Sequence, residues 1–206
     1  MKKLLVASFY FCLLPVAAWS AEKYDDLKTY YPSSIDSSWV YEGSMAGDTG
    51  AKTKIIESND ELFMSLTAAK LGFKDVFERR GNKLLHIARQ NSFEGKAMNN
   101  LERLDNPIIE LVSPLKKNTK WKYETSGGEE CRCSLDLVNS FTVKAGTFKN
   151  VIKRSCMMYS KENGKWKLAK GFGIITYFAP NVGMVRMDHE KKDSKPWYEL
   201  IEYDIK

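Results

Sequence analysis

The sequence is poor in the residues that catalysis uses most. Among 206 residues there are two histidines, His86 and His189, and neither sits in a spacing that ligates zinc. The chain holds no G-x-S-x-G elbow, no phosphate-binding P-loop and no H-E-x-x-H. The common signatures of serine hydrolases, nucleoside triphosphatases and zinc proteases are therefore missing. Gly171-Phe172-Gly173 lacks the third glycine and the following helix of a dinucleotide loop, and reads as a bend or bulge. Asp188-His189-Glu190 reads as a solvated strand end, because neighbours on a strand point to opposite faces. The reading is of a protein that is not an enzyme and carries no cofactor.

Blocks of one charge are also lacking. The 32 Lys and Arg and the 26 Asp and Glu alternate along the chain, which argues against a nucleic-acid surface or a polybasic membrane patch. Lys116-Lys117 and Lys191-Lys192 are the densest positive spots, and both are expected in loops. No long apolar run follows the first twenty residues, so no transmembrane segment is expected in the mature chain.

Those twenty residues carry the clearest signal. Lys2 and Lys3 precede an apolar run from Leu4 to Val16, too short to span a bilayer as a helix. The run ends in Ala17-Ala18-Trp19-Ser20-Ala21, with small residues at Ala18 and Ser20. Residues 1–20 are expected to be a cleaved secretory signal, which places the protein in the periplasm or outside the cell. Cys12 follows bulky Phe9-Tyr10-Phe11, so it is not a lipidation cysteine. Removing Lys2 and Lys3 lowers the formal charge from +6 to +4. Residues 21–206 suffice for one β-rich domain with a real core.

Aromatic residues make up 12% of the chain, and they favour strands. One pattern occurs twice, 82 residues apart: Pro32 to Trp39, Tyr41 and Glu42, then Pro114 to Trp121, Tyr123 and Glu124. It suggests two similar halves, about 30–111 and 112–206. Hairpins are expected around Gly81-Asn82, around Glu162-Asn163-Gly164 and around Ala179 to Gly183. Residues 60–71 fit a strand slightly better than a short helix ended by Gly72. Pro196 to Ile205 reads as a closing strand with Trp197, Glu199, Ile201, Tyr203 and Ile205 on one face. The expected fold is all-β with at most one short helix, an antiparallel meander forming an open or half-closed barrel.

Residues 131–158 permit a sharper inference. Cys133, Leu135, Leu137, Phe141 and Val143 alternate with mostly polar residues, as do Phe148, Ile152 and Cys156 in the following stretch. Facing the two apolar sets puts Val143 opposite Gly146 or Phe148, and Cys131, Cys133 and Cys156 all on the core face. In an oxidising compartment this predicts a disulfide from Cys156 to Cys133 or to Cys131. Arg154 breaks the apolar pattern on that face without an explanation in the sequence. The alternative is a soft-metal site, copper above all, built from Cys131, Cys133 and Cys156 with Met157 and Met158 nearby. Met157 is expected to face away from the cysteines.

Three motifs together resemble a diffuse group of bacterial exported proteins and lipoproteins: the W-x-Y strand, Val143 to Val151, and Tyr177 to Val185. That resemblance implies an open or half-closed β-barrel of the shape shared with periplasmic lipoprotein carriers, and it implies no catalytic residues. The expected role is a binding module for an apolar ligand, such as a lipid, or for an envelope protein partner. Trp39, Tyr41, Trp121 and Tyr123 are the candidate lining residues, although large aromatics are first of all core residues.

Overall fold

Turn chemistry fixes most of the chain's reversals. Asn163 and Gly164 have φ of 50° and 75°, the two positive values that a tight two-residue hairpin turn requires. They join β-residues Glu162 and Lys165 directly across the turn. Gly81-Asn82 does the same between Arg80 and Lys83. The computed structural model describes residues 25–190 and 195–206. The expected secretory signal, Cys12 and Lys191-Lys192 lie outside the described residues.

The described chain begins with a short helix α1 (Asp25–Tyr30). Seven strands follow in its first half: β1 (Ser38–Glu42), β2 (Ala51–Ser58), β3 (Leu62–Ala68), β4 (Leu71–Arg80), β5 (Lys83–Phe93), β6 (Lys96–Ala97) and β7 (Glu102–Val112). The second half holds β8 (Lys120–Glu124), β9 (Glu130–Val143), β10 (Gly146–Glu162), β11 (Lys165–Leu168), β12 (Ile174–Ala179), β13 (Gly183–His189) and β14 (Tyr198–Asp204). Residues 62–68 are a strand, the slightly favoured of the two readings of 60–71. All fourteen strands form one antiparallel sheet that does not close on itself, with at most one short helix beside it. Its main path runs β6-β5-β4-β3-β2-β1-β14-β13-β12-β10-β9-β8, with β7 beside β5 and β11 beside β10.

The sheet curls because several pairs contain an extra residue. Register shifts occur at Val40/Tyr41, Ile55/Glu57, Val76/Phe77, Leu84/Leu85, His86/Ala88 and Tyr177/Phe178. Each bulge bends its strand and increases local twist, so the sheet wraps around its own inner face. The curl brings the ends of the sheet near one another, and the Trp121 indole on β8 donates to the Ile109 carbonyl on β7 at 3.0 Å. Helix α1 plugs the interior: Leu27 is fully buried, and Asp26 accepts from the Ser113 hydroxyl and the Leu115 amide. Its continuation, Tyr31, packs its ring against Phe63, Phe77 and Phe178.

The cysteine hairpin has the inferred register. Val143 pairs with Gly146, and Cys133 lies opposite Cys156. These two are bonded as a disulfide, while Cys131 is a buried free thiol. With two of the three sulfurs bonded to each other, the three-thiolate alternative loses its ligand set. Among the described residues no group of three or more His, Cys, Asp or Glu is placed to hold a metal. Two details of the expected faces need correction. Leu137, expected inside, is 48% exposed; Asn150 sits at φ 54°, and the kink turns Val151 inward beside Ile152 instead. On the closing segment Tyr198 and Leu200 turn inward, and of the expected face Trp197 lines the cavity and Ile205 packs on the core, whereas Ile201 and Tyr203 are exposed. Ile201 is the extra residue of β14 opposite Val40/Tyr41, so Leu200 pairs with Tyr41 and Tyr203 with Trp39, and a single alternating face does not run through the strand.

Candidate functional site

The inner face of the curled sheet encloses a cavity of about 370 Å³, within the usual range for small-molecule sites. Its wall is largely aromatic and aliphatic. Trp39 and Tyr41, two apart on β1, present to it as their spacing requires. Their polar atoms are already used: the Trp39 indole donates to the Val182 carbonyl at 2.6 Å and the Tyr41 hydroxyl to the Met184 carbonyl at 3.0 Å. Each ring is therefore anchored, Trp39 to the turn before β13 and Tyr41 to β13 itself. Tyr123 also lines the cavity, whereas Trp121 packs at the gap between β7 and β8 and is not part of the wall. The four candidate aromatics thus divide into three wall residues and one at the seam.

Five acidic, basic or imidazole side chains also reach this cavity, and they form two clusters. In the first, Asp75 on β4 receives Arg89 Nε at 2.7 Å on one oxygen and Arg89 Nη2 at 3.2 Å on the other. His86 Nε2 lies 3.1 Å from the same carboxylate and 3.0 Å from the Ala88 carbonyl. Both neighbours are acceptors, so Nε2 carries the proton. Burial raises the Asp75 pKa, but the hydrogen bonds from His86 and Arg89 outweigh it and hold the carboxyl below its usual range. Arg89 also stacks over the Phe73 ring at 4.6 Å.

The second cluster spans the interior. Arg154 on β10 pairs with the Glu110 carboxylate on β7, near the opposite end of the sheet. Its Nη1 also donates to the Glu110 carbonyl at 3.0 Å, and its Nη2 to the fully buried Thr176 hydroxyl at 3.0 Å. The guanidinium lies over the Phe178 ring at 5.5 Å. Burial opposes the charge on Glu110, but Arg154 beside it prevails and its pKa falls below the usual carboxylate value. Burial likewise lowers and Glu110 raises the Arg154 pKa, with the pairing again prevailing. One donor has no partner: Arg154 Nε is buried and unpaired among the described residues. An unsatisfied buried donor costs about 1–3 kcal/mol, so its persistence calls for a reason.

Local irregularity explains the assembly of these groups. His86 and Arg89 are three apart on β5 and on a regular strand would face opposite ways. The bulge between His86 and Ala88 inserts Ile87 and puts both side chains against Asp75. Glu110 is likewise the extra residue between Ile109 and Leu111 where β7 meets β5. Sequence reasoning found His86 only as an isolated histidine and Arg154 only as a fault in the pattern, and it overlooked Asp75, Arg89 and Glu110. The available signal was the pair of charges at inward positions, Asp75 between Phe73 and Phe77 and Arg154 between Ile152 and Cys156.

His189, the other histidine, lies away from this cluster, with Nε2 2.6 Å from the Gly171 carbonyl and its ring against Trp197. Among the described residues no helix is long and apolar enough to cross a membrane. What the inner face offers chemically is an aromatic wall and two charge-balanced ion-pair clusters. No protein-family model, no curated protein and no solved structure matches this chain.

Proposed function

We propose that this is an exported, non-catalytic binding protein of the bacterial envelope that holds a small apolar molecule inside its curled sheet. The observation that carries the reading is the cavity of about 370 Å³ on the concave face, walled by aromatic rings whose polar atoms are bonded to backbone. A wall of that kind offers contact area with little rotamer entropy left to lose on binding. The cross-sheet disulfide suits an oxidising compartment, in keeping with the secretory signal read from residues 1–20.

Native mass spectrometry of the protein purified from its own host, without reductant, tests both parts. The reading expects a chain beginning at Ala21 or Glu22, one disulfide, and an additional lipid-sized mass that survives desalting. A full-length chain would contradict export. A bare chain that also fails to bind an apolar fluorophore would contradict the ligand reading.

A further inference from the structure

One end of the sheet combines exposed apolar side chains with a local excess of lysine. Helix α1 marks the other end: Lys28 reaches Asp60 in the β2–β3 turn at 3.6 Å, and the Thr29 carbonyl accepts from the Asn181 amide in the β12–β13 turn at 2.6 Å. Because neighbouring strands are antiparallel, the β1–β2, β3–β4, β5–β6 and β10–β11 turns lie at the end away from α1. Met45, in the first of these turns, lines the cavity and is 42% exposed, so the cavity reaches the surface there.

Beyond Tyr159 strand β10 pairs with β11 alone, and the hairpin projects from the sheet as a two-stranded ribbon. Residues 161–172 carry Lys161, Lys165, Lys167 and Lys170 against a single acid, Glu162. Glu162 pairs with Lys167 at 2.7 Å, which leaves three lysines without an acid in the segment. Among them stand Leu168 and Phe172, 42% and 62% exposed, and Trp166, with the Lys161 ammonium 5.9 Å from its ring. At the same end Leu71 and Phe93 face each other across β4 and β5, both exposed, with Lys70 at 6.0 Å from the Phe93 ring. Charges of both signs alternate along the sequence as a whole, but the ribbon concentrates one sign beside apolar groups. An anionic bilayer suits both features, since its interface takes up apolar side chains and its surface potential attracts lysines. We propose that the β10–β11 ribbon and the bend at Phe172 dock the protein on an anionic phospholipid bilayer, with the mouth of the cavity turned toward the membrane. Docking of this kind does not depend on what the cavity holds.

The test is co-sedimentation with vesicles of phosphatidylcholine containing about one third phosphatidylglycerol, against vesicles of phosphatidylcholine alone. The protein is expected to pellet with the anionic vesicles at low salt, to be released at high salt, and to stay in solution with the neutral ones. Lys165→Gln with Lys170→Gln should weaken the binding about twentyfold, near fivefold for each lysine at the surface. Phe172→Ser should weaken it about tenfold, the scale of a partly buried aromatic ring. Ile35→Ser, at an exposed apolar residue beside α1, should leave binding within twofold of the unaltered protein. No pelleting with anionic vesicles, or equal pelleting with neutral ones, would overturn the proposal, as would equal losses from Ile35→Ser and Phe172→Ser. A dimer in solution that Phe172→Ser dissociates would assign this end to a second copy of the chain and overturn it too. Binding of an apolar fluorophore in the cavity is read separately, so a failure of docking and a failure of the ligand reading are distinguishable.

Discussion

Arg154 and Glu110 tie β10 to β7 through the interior, and breaking that pair should be costly. Both side chains are mostly buried, at 9% and 17% exposure. Removing one partner leaves the other as an uncompensated charge, which typically costs about 3–5 kcal/mol, whereas replacing both by apolar residues is often neutral. Arg154→Met and Glu110→Leu should therefore each lower stability by about 3–5 kcal/mol, and the double variant should recover most of that loss. For a chain of this length, each kcal/mol moves the thermal midpoint by roughly 2–4 °C. Urea unfolding followed by tryptophan fluorescence, completed as a double-mutant cycle, gives the coupling directly. Two single effects that add to within about 0.5 kcal/mol would refute the pairing across the cavity.

Three further outcomes follow from the same structure. The disulfide closes a loop of 23 residues, so Cys133→Ser with Cys156→Ser should cost about 3 kcal/mol on the chain-entropy account, read as a lowered urea midpoint. Burial raises the Cys131 pKa, so iodoacetamide should modify that thiol slowly in the folded protein and rapidly in urea. The acid limb of stability should come largely from Asp75 and Glu110. Their folded pKa values lie below the ordinary 3.8 and 4.5, so their contribution is complete above about pH 5 and disappears as pH falls through the lowered values. A thermal midpoint that rises as pH drops from 5 to 3 would contradict that sign.

The all-β class, the hairpins and the cysteine register were legible because each depends on local chemistry. Asn163-Gly164 specifies its own turn, and the apolar alternation through Cys131, Cys133 and Leu135 sets the face of β9 beside the disulfide. The charged clusters were not legible. His86 and Arg89 meet Asp75 only because Ile87 is looped out, and a bulge leaves no fixed mark in a sequence that is apolar on both sides of it. Glu110 reaches Arg154 across the curl of the whole sheet, a contact 44 residues apart that no spacing rule encodes. The face of β14 was misread for the same reason, since the extra residue Ile201 breaks the single-face alternation expected from Trp197 to Ile205. Bulges, then, account both for the shape of the cavity and for the limits of reading it from sequence.

The central claim is that the concave face binds an apolar molecule, and a titration with N-phenyl-1-naphthylamine tests it most directly. The unaltered protein should enhance the probe's fluorescence saturably, at one site per chain. Thr53→Trp, which places a large ring at a half-buried position on the cavity wall, should weaken that binding at least tenfold while leaving the disulfide intact. No saturable enhancement, or binding that Thr53→Trp leaves unchanged in a folded variant, would contradict the account.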